Sequence, residues 1–215
     1  MNEKQQPDLP SVAGLASASL VDAVGRLYSH RAHIMGLVSP RPDLVLFGPA
    51  VTISFLPYRQ DLEDVNGPAF ADWFYRAVGS NPQGKVLVMT HGGYPDASHG
   101  GGTKLSRVRN NELAGVLTDG RLRDFDQLAE WGFATFCGGE ATRWGGDTVT
   151  PAAANVPVEI GGVRIVPEDY VFADRAGAVV IPGGSVNEAI AIAREIEREE
   201  NAALVSIREE DRPSR

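Results

Sequence analysis

Short apolar runs alternate with amphipathic stretches along this chain, and the alternation predicts a mixed α/β protein. "SASLVDAVGRLYS" carries Leu20, Val24 and Leu27 at helical spacing, with Ser19 and Asp22 placed like a capping box. "DLVLFGPAVTISFLP" predicts a strand, a Gly-Pro interruption and a second strand. "DLEDVNGPAFADWFYRAV" predicts helix in parts, broken near Gly67-Pro68. The middle of the chain then repeats one rhythm. "GKVLVMT" is a buried strand, "GGYPDASHGGG" a glycine loop and "TKLSRVRNNE" a helix. "LAGVLTDG" is a second buried strand, "LRDFDQLAEWG" a helix ending at Gly132, and "FATFC" a third strand. This order favours parallel pairing. Further on, "VEI-GG-VRI" is a hairpin signal, and "VFADRAGAVVIP" predicts two strands around a turn. "SVNEAIAIAREIEREENAALVSIREE" predicts a long helix opened by a Ser185–Glu188 capping box, with Val186, Ala189, Ile190, Ala193 and Ile196 on one face.

Composition narrows the class. The 215 residues suit a single domain, with residues 1–10 as a flexible arm and about 208–215 as a frayed tail. The net charge of −8 argues against a nucleic-acid surface. A lone cysteine, Cys137, excludes an intramolecular disulfide and fits a reducing compartment. No apolar run reaches membrane-spanning length, and the polar N-terminus does not read as a signal peptide. The expectation is a cytoplasmic protein with neither nucleic-acid nor membrane partners.

Two predicted strand ends carry the candidate chemistry. In parallel α/β sheets, ligands collect beyond the carboxyl ends of the strands. "VLVMT" runs into the glycine loop, and "AGVLTDG" runs into "RLRDF". The amides of Gly101, Gly102, Thr103, Lys104 and Leu105, at a predicted helix start, suit a carboxylate or phosphate. Arg123 offers a planar fork for a carboxylate, and Asp124 a hard oxygen for Mg²⁺ or Mn²⁺. Asp119, Gly120 and Arg121 are expected to shape the turn that presents them. The glycines match neither a Walker loop nor a dinucleotide fingerprint. Lys104 fits either a second substrate carboxylate or a solvated helix face. His91, Asp96 and His99 flank the loop without a compact ligand spacing, and one histidine near the site suits acid–base work. His30 and His33 read as surface charges after a helix. Glu140, Arg143 and Asp147 either line the same crevice, or a neighbouring subunit's, or form a polar loop anchored by Trp144. Cys137 reads as buried and inert.

"DG-x-x-RD" at 119–124, "NVPV-x-IGGV" at 155–163 and the segment from Glu168-Asp169-Tyr170-Val171 through Ile181-Pro182 resemble the family of the regulator of ribonuclease activity A. That family includes metal-dependent 4-hydroxy-4-methyl-2-oxoglutarate / 4-carboxy-4-hydroxy-2-oxoadipate aldolases, and its members are often labelled demethylmenaquinone methyltransferase-like. The resemblance spans roughly residues 15 to 200. It implies a compact α/β/β/α fold of the swivelling, phosphohistidine-like kind, with a central mixed sheet and a β-rich C-terminal half. It also implies a homotrimer or a homohexamer built as a dimer of trimers, with sites between subunits. It implies that Arg123 holds a pyruvyl group, that Asp124 binds Mg²⁺ or Mn²⁺, and that amides over 102–105 bind the substrate carboxylate. The implied reaction is aldol cleavage or decarboxylation of a small 2-oxo or hydroxy dicarboxylic acid through a pyruvate-enolate-type intermediate. A metal-bound water is the default base. The sequence departs from the aldolase pattern at one place: a first motif carboxylate, expected where Gly102 stands, is missing. A non-catalytic regulator of ribonuclease E, or a metal-dependent hydratase or isomerase, are the alternative readings.

Overall fold

The structure is a computed structural model that describes residues 10–62, 69–208 and 210. The elements, in chain order, are α1 (Ser17–Leu27), β1 (His33–Ile34), β2 (Leu46–Pro57), α2 (Phe70–Val78), β3 (Val86–Met89), β4 (Ser98–Gly100), α3 (Gly102–Asn110), β5 (Gly115–Thr118), β6 (Arg121–Leu122), α4 (Phe125–Trp131), β7 (Ala134–Phe136), β8 (Val149–Ala154), β9 (Val158–Ile160), β10 (Val163–Ile165), β11 (Tyr170–Asp174), β12 (Gly177–Ile181) and α5 (Val186–Arg208). A 3₁₀ turn, Gly183–Ser185, precedes α5.

The expected α/β class with a central mixed sheet is what is observed. Seven strands run in the order β1-β12-β11-β2-β3-β5-β7, and β8 joins β2 to complete an eight-stranded sheet. β2, β3, β5 and β7 pair in parallel, as the strand–helix alternation predicted. β1, β8, β11 and β12 pair antiparallel. One sheet face packs on α2, α3 and α4 through Phe74, Leu105, Leu128 and Val108. The opposite face is covered by the β9–β10 hairpin through Val158, Ile160, Val163 and Ile165. α1 and α5 close over β11 and β12 through Leu20, Phe172, Val179 and Ile190. The hairpin turns at Gly161 (φ 55°) and Gly162 (φ 83°), the positive-φ pair that a tight two-residue turn requires.

Several expectations are corrected. β2 is one continuous strand through Gly48-Pro49. The Ala50 amide bonds on the β11 side, to the Asp169 carbonyl, so the nitrogen of Pro49 faces β3; that ladder begins only at Ala50, and the missing N–H leaves no gap. The end of the glycine loop is strand β4, paired in parallel with β6, so Leu122 is extended rather than helical. Ser19 does not cap α1; it bonds Glu197 of α5, while the Ser17 amide and hydroxyl both bond Asp174. Ser185 Oγ lies 2.5 Å from the Tyr28 hydroxyl. His33, expected as a surface charge after a helix, opens strand β1. Almost all of the expected arm and tail, and the break at Gly67-Pro68, lie outside the described residues. Among the described residues, no helix is long and apolar enough to cross a membrane.

Candidate active site

β3 and β5 are neighbours, with Met89 opposite Thr118, so their outgoing segments meet. They meet as the small parallel β4–β6 pair, which stands beyond the carboxyl ends of the main sheet. The Arg123 amide donates to the Gly100 carbonyl at 2.9 Å, and the Leu122 amide to Gly139 at 2.9 Å. The loop after β7 is drawn in as well: Glu140 bridges to Leu122, and the Ser98 amide donates to the Arg143 carbonyl at 3.0 Å. A cleft of about 320 Å³ results, lined by Ser98, Gly100, Gly101, Thr103, Lys104, Arg123, Asp124 and Trp144.

Glycine makes this approach possible. A Cβ on Gly101 would stand 2.6 Å from Asp124 Oδ2 and 3.0 Å from the Arg123 Cβ. One on Gly102 would stand 1.6 Å from Gln127 Oε1. Asp124 itself takes a left-handed conformation (φ 63°, ψ 45°), which Asp tolerates better than most residues. This turns its carboxylate onto the Gly102 amide at 2.8 Å.

The sequence-selected residues divide by role. Arg123 and Asp124 come together in the cleft with Gly101, Thr103 and Lys104. The ion pairs among the described residues involve neither Arg123 nor Lys104. Lys104 is half-buried, not a solvated helix lysine: its Nζ lies 3.4 Å from the His99 carbonyl and 5.2 Å from the Phe70 ring. Burial pushes its pKa below the usual lysine range. Gly102 and Leu105 are corrected as amide donors. The Gly102 amide is used by Asp124, the Leu105 amide by the Gly101 carbonyl, and the Leu105 side chain is fully buried in the core. The amides of Thr103 and Lys104, in the first turn of α3, have no acceptor among the described residues and carry the anion-binding expectation.

The histidines do not form a metal cluster. His99 is wholly buried; its Nε2 meets the His91 carbonyl at 2.9 Å and its ring packs edge-on to Phe55. Its Nδ1 has no partner and faces Gly120, where a Cβ would stand 2.3 Å away. Burial lowers its pKa, disfavouring the charged ring. Asp96 is turned to Arg121 at 3.2 Å. Asp119 accepts the His91 amide at 2.8 Å, and burial raises its pKa even with the His91 ring 3.6 Å away. Asp119 and Gly120 therefore build the turn, while Arg121 opens β6. Of the later loop, Glu140 reaches the site by accepting the Phe125 amide at 3.0 Å. Arg143 contributes its carbonyl, and Asp147 is outside the cleft lining. Trp144 is no buried anchor: it is 61% exposed and lines the cleft. Cys137 is buried, and burial pushes its thiol up to about 11, which fits an inert role. Ser98 and Gln127 were missed. The first is hidden inside the glycine loop, and the second becomes visible only through its contact with Gly102.

Among the described residues, no three His, Cys, Asp or Glu side chains converge. Asp124 supplies one carboxylate, and the Gln127 carboxamide lies beside it over Gly102. One carboxylate, one carboxamide and open cleft volume suit a cation that keeps several waters and takes further oxygens from its substrate, the habit of Mg²⁺.

The Legionella pneumophila protein DlpA is 30% identical over 158 residues, 72% of this chain and 25% of that protein. A Burkholderia mallei protein carrying the provisional name 4-hydroxy-4-methyl-2-oxoglutarate aldolase is 32% identical over 104 residues, 48% of this chain and 62% of that protein. The chain thus spans less than two thirds of either relative. Among solved structures, an uncharacterised Pseudomonas syringae protein superposes with a TM-score of 0.80 at 25% identity, covering 93% of this chain and 87% of the other. Streptomyces coelicolor RraAS2, described as an unusual member of the RNase ES inhibitor RraA protein family, superposes with a TM-score of 0.78 at 27% identity, covering 89% and 93%. The family profile described as RraA-like, Aldolase/RraA, matches residues 17–180, and the chain belongs to that family.

Proposed function

We propose that this protein is a divalent-metal-dependent carbon–carbon lyase, an aldolase or decarboxylase, acting on a small 2-oxo or hydroxy dicarboxylic acid. One observation carries the reading: two cations without carboxylate partners among the described residues, Arg123 and Lys104, share a cleft with the Asp124 carboxylate. Cations left unpaired in a cleft are costly for folding and useful for holding an anion.

The residues divide the work as follows. Arg123 holds the 1-carboxylate and 2-oxo oxygen of the substrate with its planar fork. Lys104 and the free amides of Thr103 and Lys104 take the second carboxylate. Asp124 holds Mg²⁺ or Mn²⁺, directly or through water, and the Gly102 amide fixes the carboxylate that does so. When bound, the cation supplies Lewis-acid polarisation of the 2-oxo oxygen. The positive charge of Arg123 favours the negative charge that develops on the 2-oxo oxygen during bond cleavage over the uncharged 2-oxo group of the bound substrate. Trp144, exposed at the cleft mouth, is a surface for a neighbouring subunit to cover in the proposed trimer or dimer of trimers.

The test is pyruvate release from oxaloacetate and from 4-hydroxy-4-methyl-2-oxoglutarate, with Mg²⁺ or Mn²⁺ and then with EDTA. Release that EDTA abolishes and Mn²⁺ restores is the expected result. A folded protein that releases pyruvate from neither substrate shifts the assignment to the non-catalytic regulators of the same family.

A further inference from the structure

Asp124 and Gln127 stand at the N-cap and third positions of α4, the spacing of a capping box. In that motif both side chains turn back onto amides of their own helix. Here Asp124 makes no side-chain cap bond; it accepts the Gly102 amide of a different helix at 2.8 Å. The capping work passes to Glu140, brought in from the loop after β7, whose Oε1 accepts the Phe125 amide at 3.0 Å. Gln127 is also turned away, with its carboxamide laid over the bare Cα of Gly102. A Cβ built at Gly102 would stand 1.6 Å from Gln127 Oε1 and 3.4 Å from Asp124 Oδ2. One point beside Gly102 is therefore flanked by a carboxylate oxygen and a carboxamide oxygen. Helix stability asks for neither diversion; Asp124 lines the cleft, and Gln127 stands beside it at Gly102, outside the lining residues.

We propose that the Gln127 carboxamide is the second protein oxygen of the cation site, beside Asp124, and that the bare Gly102 leaves the room it occupies. The inference rests on the reading above, in which Asp124 faces a divalent cation. Carboxamide and carboxylate oxygens are both hard ligands suited to Mg²⁺ and Mn²⁺. A neutral second ligand leaves the site one negative charge short of a paired-carboxylate site. Its cation is therefore held more weakly, and the substrate's own charge contributes more to the complex.

The test is an Mn²⁺ titration of the full chain, following free Mn²⁺ by electron paramagnetic resonance. The panel is wild type, Gln127→Ala, Gln127→Glu, Gly102→Ala and Asp124→Asn, with melting in EDTA as the structural control. Gln127→Ala is expected to weaken Mn²⁺ binding roughly tenfold. Gln127→Glu, which restores a charge, is expected to tighten it. Gly102→Ala pushes a methyl group into the carboxamide's place and is expected to weaken binding by itself; a Gly102→Ala/Gln127→Ala double variant, added to the panel, is expected to bind no more weakly than Gln127→Ala. Melting in EDTA is expected to stay level for the Gln127 variants. If both Gln127 variants bind Mn²⁺ as wild type does while Asp124→Asn binds poorly, the inference is overturned and the reading of Asp124 stands. If Asp124→Asn also binds as wild type, or the wild type binds no Mn²⁺, both fall together. A loss in Gln127→Ala that only follows a lower melting temperature overturns the inference in favour of a structural role.

Discussion

Two parallel pairs lie end to end in this protein and are built on opposite principles. β3 and β5 are buried at every position, and their register is fixed by apolar side chains that fill space on both faces. β4 and β6, just beyond their ends, are three and two residues long, and Gly101, Gly102 and Gly120 lie beside them. Here the missing side chains set the geometry. They let Asp124, Gln127 and the His99 ring approach the backbone at distances a Cβ would forbid. The first pair is filled and tolerant of chemistry. The second is open and intolerant of added volume, which is what a site that must admit a ligand requires.

Breaking the filled pair has the largest effect on stability. Leu117 is fully buried in β5. Leu117→Ala is expected to cost about 2–5 kcal/mol in denaturant unfolding through lost burial and the cavity left behind. A loss no larger than that of a surface substitution would remove β5 from the core.

The next effect is smaller and depends on pH. His99 links the two pairs: it sits in β4, and its Nε2 reaches back to the carbonyl of His91, just past the end of β3. Its pKa is lowered first by burial, with Lys104 and His91 adding in the same direction. The unfolded chain therefore takes up a proton near pH 6.5, while the folded chain resists it. Stability is full above that value and falls as pH drops below it, by up to about 1.4 kcal/mol per pH unit. Asp119, whose pKa is raised mainly by burial, works in the other sense: its contribution is full at low pH and is lost as pH rises through its folded value. His99→Gln is expected to flatten the fall between pH 7 and pH 5 in urea unfolding. An unchanged slope would place the titration elsewhere.

The filled pair was legible in the sequence because period and composition report burial directly. "VLVM" and "GVLT" need no context to read as buried strands. Arg123 and Asp124 were legible because charged residues at the end of such a run have few structural reasons to be there. β2 was misread as two strands because the harm done by Pro49 depends on which neighbour its nitrogen faces, a fact of topology. β4 was read as loop because glycines carry no pattern, and its pairing with β6 depends on contacts made after the main sheet has formed. The paired Gly102 amide and the diverted Gln127 were beyond reach for the same reason: each is a contact between two helices whose relative placement no local window encodes.

In the proposed function, Asp124 serves the chemistry rather than the fold. Asp124→Asn is the sharpest variant, since Asn tolerates the left-handed conformation and keeps an oxygen for the Gly102 amide. The measurement is the rate of Mn²⁺-supported pyruvate release by this variant, read beside its melting temperature. The account predicts a melting temperature close to wild type and a rate lowered by about 100-fold or more. Undiminished turnover in the folded variant would contradict it.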